Sequence, residues 1–507
     1  MEKLKQLALR PKRRSELTAA GLRHWVLAFV VCNFNVDLGP EIELVYPPSI
    51  EFSQSDLLAM CFSSFPERHD TEIVDDISFQ YSIRNNSPDV RLDSPHAPYG
   101  SASDLYGHCV FRQEYDRRTK RSFNQKSLVL ISNHDFPALY LAILQKMTAS
   151  GLISDPSALE AACAEIASWP APSIGRLELP FLGSVFVLEI APHAAFPMQG
   201  LPTPLAMQQA TRLALYAYQP VGIWSKLIPC MPSLSELYVL FEKLLICESV
   251  IVLARSPQLC SEFVSAMKDL IRPVPYAGIV RPYVVMQSDF ISMGIDGGMP
   301  RPIIVGITNP FLLQRILGSM DKSGRPKPHV ISLNDSGEPL DTVPLKPQRS
   351  QRHNKTLGAA EASGPGKKYL KSDHSFMKEI SNMMKSEASS EMVGSVVRRH
   401  FAELSAQFLS PVHRYLATSM SSTSVLSPGG NVQYGNFSEA EFLKSLGKFG
   451  TSVNFRGQNP IQRHRARDGL YEQFCRSPNF YSWLEMKLSL EKEASAGLLS
   501  QSPTKPG

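Results

Sequence analysis

No stretch of this 507-residue chain is apolar for long enough to cross a bilayer. The longest uninterrupted run, Trp25 to Cys32, falls far short of the roughly 20 residues a membrane helix needs. Residues 237–254 are broken by Glu242, Lys243 and Glu248. No secretory signal is expected, since the first apolar run leads straight into a strand-like pattern. Cysteine is sparse, with 8 residues and no C-x-x-C pair, which points to buried thiols in a reducing compartment. An excess of one charge is also lacking. The balance of 52 basic to 47 acidic residues leaves +5. Met1 to Arg14 carries all of that excess, with Lys3, Lys5, Arg10, Lys12, Arg13 and Arg14 against Glu2. The rest is formally neutral, so no nucleic-acid partner is expected. The chain reads as cytoplasmic, with a solvated basic tail that allows peripheral contact with anionic lipid.

Catalytic motifs are missing as well. Gly364-Pro365-Gly366-Lys367 lacks the spacing of a phosphate-cradling loop, and Gly294 to Gly298 lacks a strand-to-helix setting. The 12 histidines are scattered; neither His400 with His413 nor His464 among its arginines forms a zinc set. No G-x-S-x-G elbow anchors a hydrolase triad. Cys163 and Cys247 lie in apolar helical text and read as core. No cofactor, no metal and no covalent catalysis are expected.

What is present is patterning. Residues 24–36 and 41–46 read as strands joined by Asp37-Leu38-Gly39-Pro40 turn chemistry. Ser53 or Ser55 caps a helix carrying Leu57, Leu58, Cys61, Phe62 and Phe65 on one face. Ile77, Phe79, Tyr81 and Ile83 alternate with Ser78, Gln80, Ser82 and Arg84, which predicts a half-buried strand. Strands at 105–115 and 126–132 and a helix at 138–147 complete an antiparallel sheet with helices on it. Beyond a helix at 158–168 and a strand at 184–190, the text from 205 is undecided. Helices at 234–245 and 259–270 then alternate with apolar β-runs at 249–254, 283–286 and 302–307, the mark of an α/β layer with a mostly parallel sheet. Residues 321–368 have linker composition with a strand-like island at 329–333. Val393, Val397, Phe401, Leu404, Phe408, Val412 and Tyr415 then recur at helical steps, with a break or kink expected at Pro411. Helices at 439–446 and 468–483 follow, and the last twenty or so residues read as frayed. The fold class is therefore mixed α/β and α+β, in several domains. The basic turn Arg117 to Arg121 reads as a solvated hairpin tip, and the run Arg463 to Arg467 as the polar start of a helix.

Four groups of residues carry a resemblance. Phe111 to Asp116 with Lys120-Arg121 and Gln125 to Ser132, Leu159 to Cys163 with Trp169 to Pro172, Gly306 to Phe311, and Ser477 to Phe480 with Trp483 are similar, in that order, to the signatures of DENN-domain proteins. The nearest group is the short subfamily made of little beyond the tripartite module. Asn124 stands where relatives carry an aromatic residue, and Cys247 where glycine is common before Glu248.

The resemblance implies an upstream longin-like domain over 21–195 and a central DENN domain over 205–340. A flexible linker over 341–370 leads to a helical downstream domain over 371–486, between disordered tails at 1–20 and 487–507. It implies a guanine-nucleotide exchange factor for a Rab-family small GTPase in endosomal or other membrane trafficking. A non-catalytic scaffold or Rab effector is the alternative. An exchange factor works by differential binding and needs no nucleophile. A groove between the first two domains would grip the GTPase switch segments, and nucleotide and Mg²⁺ belong to the partner. Asn309 and Phe311, at the end of an apolar β-run, head the candidate contacts, followed by Thr308 and Tyr283. Asn309 could instead simply cap the helix that follows. Gln125 and Lys126, which open a strand after the charged turn, are candidate groove residues or ordinary edge residues.

Overall fold

The computed structural model describes residues 19–35, 37–67, 76–87, 89–92, 104–115, 117, 123–151, 156–191, 212–288, 301–322, 326–334, 368–386, 388–423 and 437–500. The basic tail, most of the turn Arg117 to Arg121, both glycine clusters and most of the linker lie outside them.

The first elements are β1 (Ala28–Asn35), β2 (Gly39–Tyr46), α1 (Gln54–Ser63), β3 (Ile77–Arg84), β4 (Asp104–Tyr115), β5 (Phe123–Ser132), α2 (Pro137–Ala149) and α3 (Pro156–Ala167). The strands form one antiparallel sheet in the order β2-β1-β5-β4-β3. Both faces of β1 are buried, which is why its text is continuously apolar. Val30 and Cys32 pack with Met60 and Cys61 of α1, while Phe29 and Val31 join Leu139, Ile143 and Ile166 of α2 and α3. Gln80 and Ser82 of β3, expected to face water, are buried too.

β7 (Ser184–Ile190) lies where a strand was expected, and it forms a hairpin with β6 (Gly175–Phe181), which the sequence reading missed; the two are joined through Leu182 and Gly183 at φ +45° and +73°. β8 (Arg212–Tyr216) runs parallel to β7. Their apolar face closes the α2–α3 core: Trp169 sets its ring edge on Trp25 and donates from Nε1 to the Pro180 carbonyl at 2.7 Å. The Trp169-Pro170 signature is therefore a core joint.

The alternating stretch holds α4 (Glu236–Leu245), β9 (Val250–Leu253), α5 (Pro257–Lys268), β10 (Ile279–Val284), β11 (Ile303–Ile307), α6 (Pro310–Lys322) and β12 (His329–Ser332). The sheet order is β10-β11-β9-β12, with β10 and β11 parallel. β10 begins upstream of the expected 283–286, and the island at 329–333 belongs to this sheet rather than to a linker.

The C-terminal part is helical: α7 (His374–Lys385), α8 (Ser390–Thr423), α9 (Glu439–Phe449), α10 (Pro460–Arg476) and α11 (Pro478–Ser500). Pro411 does not end α8, because Phe408, Leu409 and Val412 are buried around it and the Tyr471 hydroxyl donates to the Phe408 carbonyl at 2.9 Å. The helix expected over 468–483 is two helices. Pro478 cannot donate a backbone bond, so the chain breaks at Ser477 and restarts. α11 continues to Ser500, where a frayed tail was expected from about residue 487; its Leu-, Glu-, Lys- and Ala-rich text favours helix.

The chain divides into two compact units. The first gathers Met1–Pro232, Ile251–Ala266 and Ile279–His353, and the second Ser233–Val250, Met267–Gly278 and Asn354–Gly507. In the second unit, Asn479 is fully buried and closes the end of α4, donating from Nδ2 to the Leu244 carbonyl at 2.7 Å and accepting from the Ala277 N–H. That explains the Ser477-Pro478-Asn479 signature.

Cys247, where the resemblance implies a glycine, has φ +58°. Its N–H donates to the Leu244 carbonyl and that of Glu248 to the Lys243 carbonyl, the pair of hydrogen bonds that closes a helix through a left-handed residue. Cys247→Gly should leave stability within about 1 kcal/mol, since relief of backbone strain offsets the lost thiol packing. Cys247→Val, branched at Cβ, should cost more than about 2 kcal/mol in urea denaturation. A valine variant as stable as the parent would contradict this.

Candidate functional site

Within the first unit, β3 and β10 are the outer strands of their two sheets, and they pack side by side. Pro282 fits such an edge position, where a missing N–H costs no ladder bond. The joint is polar at its centre. Arg281, its side chain only 5% exposed, donates to Asp104 Oδ1 at 3.0 Å and to Ser82 Oγ at 3.1 Å. Ser82 in turn donates to the Val280 carbonyl at 2.8 Å. A buried guanidinium with oxygen partners on β3, β4 and β10 fixes the register of the contact.

A second set of contacts joins the chain after α1 to the ends of β10 and β11. Tyr283 is buried with its ring edge-on to Phe79, and its hydroxyl accepts from the Glu67 N–H at 3.1 Å. The Glu67 carboxylate accepts from the Met286 N–H and lies within reach of the Asn309 side chain. Burial raises the pKa of Glu67, with the Met286 and Asn309 bonds working against the rise. Burial likewise pushes the Tyr283 phenol up, and the neighbouring Thr308 hydroxyl opposes that.

The structure thus brings Tyr283, Thr308 and Asn309 together around Glu67. Asn309 also caps α6, its Oδ1 accepting from the Phe311 N–H at 3.0 Å, as the capping alternative expects. Gly306 permits this arrangement, since a Cβ there would lie 2.1 Å from the Pro282 carbonyl oxygen. Phe311 is 61% exposed on the first turn of α6. Gln125 and Lys126 are not part of the cluster. Gln125 donates to Gln113 at 2.6 Å and Lys126 pairs with Glu43 at 2.8 Å, elsewhere on the five-stranded sheet.

A narrow cleft of about 90 Å³ opens beside the joint, walled by Ser55, Ala59 and Phe62 of α1, Ser82 and Arg84 of β3, and Val285 after β10. Leu58, on the same helix, is 49% exposed. The loop at one rim is anchored by buried Asp56, which accepts from Asn86 and from Ser87 Oγ. Reasoning from sequence missed Arg281, Asp104 and Glu67. Only the arginine had a signal, a charge inside an otherwise apolar β-run.

Among the described residues no group of three or more His, Cys, Asp or Glu could hold a metal ion. All eight cysteines are free, and seven are buried.

No family model matches the chain. It is 28% identical to "Protein DENND6A" of Gallus gallus over 495 residues, covering 94% of this chain and 80% of that protein. To "Protein DENND6B" of Homo sapiens it is 28% identical over 500 residues, covering 92% and 80%. To "Protein DENND6 homolog" of Dictyostelium discoideum it is 24% identical over 552 residues, covering 93% and 72%. Along nearly its whole length the chain is therefore similar to proteins of the DENND6 type.

Proposed function

We propose that this chain is a guanine-nucleotide exchange factor for a Rab-type small GTPase in endosomal or other membrane trafficking. The observation that carries the reading is the joint of the first unit, where two sheets meet at their outer strands beside a cleft and leave Leu58 and Phe311 exposed on flanking helices. In this reading the antiparallel sheet is the longin-like domain, the second sheet is the central DENN domain, and the helices are the downstream domain.

The cleft is too small to hold a protein segment alone, so it is the centre of a wider surface. A stable protein contact buries at least about 1,000 Å², around an apolar anchor. Gripping the switch segments more tightly in the nucleotide-free partner than in the loaded one weakens nucleotide binding by the same factor. No bond is made or broken, and the reading requires no cofactor of the chain's own. Among the described residues no helix is long and apolar enough to cross a membrane. The reading places the protein in the cytoplasm, recruited to trafficking membranes peripherally.

Leu58→Asp and Phe311→Asp alter exposed side chains and should leave stability within about 0.5 kcal/mol. Each should slow stimulated GDP release at least about tenfold if it removes an interface anchor. Unchanged exchange in both variants would move the contact surface away from the joint. A scaffold or effector would instead bind the GTP-loaded partner in preference to the empty one, which a pull-down across nucleotide states detects.

A further inference from the structure

The exchange reading leaves unused a basic cavity of about 930 Å³ in the second unit. It lies between the segment that opens α7, the loop over 450–458 and the first turns of α10. Lys371, Arg456, Arg463 and Arg467 line it, with the imidazoles of His374 and His464, and no acidic side chain does. This is where the run Arg463 to Arg467 falls, at the start of a helix as its text predicts.

Two of the cations are partly engaged. Arg467 pairs with Asp468 at 2.8 Å, and Arg456 donates to the Leu370 carbonyl at 2.7 Å and lies near buried Glu242. Asp373, next to the cavity in sequence, accepts from the Ser375 and Phe376 N–H groups as the cap of α7. Lys371 and Arg463 are exposed and make no ion pair among the described residues.

The walls are tied to one another. The Lys371 N–H donates to the Asn454 carbonyl at 3.0 Å and the Arg456 N–H to the Tyr369 carbonyl at 2.7 Å, around the Leu370–Phe455 bridge. Gly457 has φ +149°, and a Cβ there would stand 2.7 Å from the Arg463 nitrogen. Only glycine lets the loop press against the first turn of α10, which holds Arg456 beside Arg463. The positive end of that 17-residue helix adds to the field. Cations converging from three segments, with imidazoles among them, suit phosphate oxygens. Phe455, the one aromatic carbocycle in the lining, is buried, so the only exposed rings there are the imidazoles of His374 and His464. The volume falls within the range of small-molecule sites.

We propose that this cavity binds a small polyphosphorylated anion of the inositol phosphate class, free or as a lipid headgroup. Calorimetric titration of the full chain with inositol tetrakisphosphate should show micromolar binding. The Lys371→Gln/Arg463→Gln variant should bind at least tenfold more weakly. Lys385→Gln/Lys444→Gln, which removes the same charge from exposed sites on α7 and α9, should bind as the parent does. Co-sedimentation separates the sources. Capture by phosphoinositide vesicles, but not by phosphatidylserine vesicles of equal charge, supports a headgroup; binding of the free anion without vesicle capture supports a soluble ligand. The proposal is overturned by no binding, by equal weakening in both double variants, or by vesicle binding that follows charge alone.

Discussion

Taking the protein from pH 7 to pH 4 should remove about 3 kcal/mol of stability from the first unit through each of two buried histidines. His108 and His134 are both held down to about 4 from 6.5, chiefly by desolvation. Neither ring nitrogen of His108 has a hydrogen-bond partner, and its ring lies 4.9 Å from that of Tyr140. A proton there would sit in the core between the sheet and α2. Between pH 6.5 and 4 the unfolded chain takes up a proton that the native one refuses. The stability is therefore full above the unfolded value and lost as pH falls through that window.

Glu67 and Glu262 act in the opposite sense. Burial raises both, so their native carboxyls gain protons before the unfolded ones do and recover part of the loss. His108→Leu isolates one contribution. At pH 7 it should be at least as stable as the parent, since it removes a polar ring without breaking a bond. Between pH 7 and pH 4 it should lose about 3 kcal/mol less in urea unfolding. Superimposable acid limbs for variant and parent would contradict the assignment.

The Arg281 joint should respond asymmetrically to mutation. Asp104→Ala leaves a guanidinium whose side chain is 5% exposed without its counter-ion, a cost of about 3–5 kcal/mol. Arg281→Met leaves a carboxylate whose side chain is 24% exposed, which water can reach, so about 2 kcal/mol is expected. The double variant should lose less than the sum, because both single changes break one pair. Equal costs, or strict additivity, would show that the pair does not hold the sheets together. Arg281 also lines the cleft, so its loss should weaken any partner that binds there.

The N-terminal sheet was legible because its strands are β-branched and aromatic runs set off by turn residues, and its first helix carries a serine cap whose side chain accepts from Asp56 N–H. β6 was not, because Gly175 and Pro180 interrupt it and exposed Arg176 and Glu178 hide its apolar face. β10 was placed too late because Arg281-Pro282 looks like a strand boundary. The arginine is tolerated there only because Asp104, 177 positions away, meets it. Such pairing leaves no local mark, and the same holds for Asn479 with Leu244 and for Glu67 with Tyr283. Of the candidate contacts, the strand-end argument gave Asn309 and Phe311, then Thr308 and Tyr283; Tyr283, Thr308 and Asn309 lie together near Glu67, and Phe311 stands exposed on α6. Gln125 and Lys126 were chosen for following a charged turn, which says nothing of what lies across from them. The glycine that the resemblance implies at Cys247 did anticipate a backbone feature, the left-handed residue that closes α4.

The most direct test is release of labelled GDP from a panel of purified Rab GTPases in the presence of the full chain. Acceleration of one member or a small subset is expected, rising with protein concentration, diminished by Leu58→Asp, and accompanied by tightest binding to the nucleotide-free GTPase. No acceleration with any member, or tighter binding to a GTP-loaded one, would contradict the account.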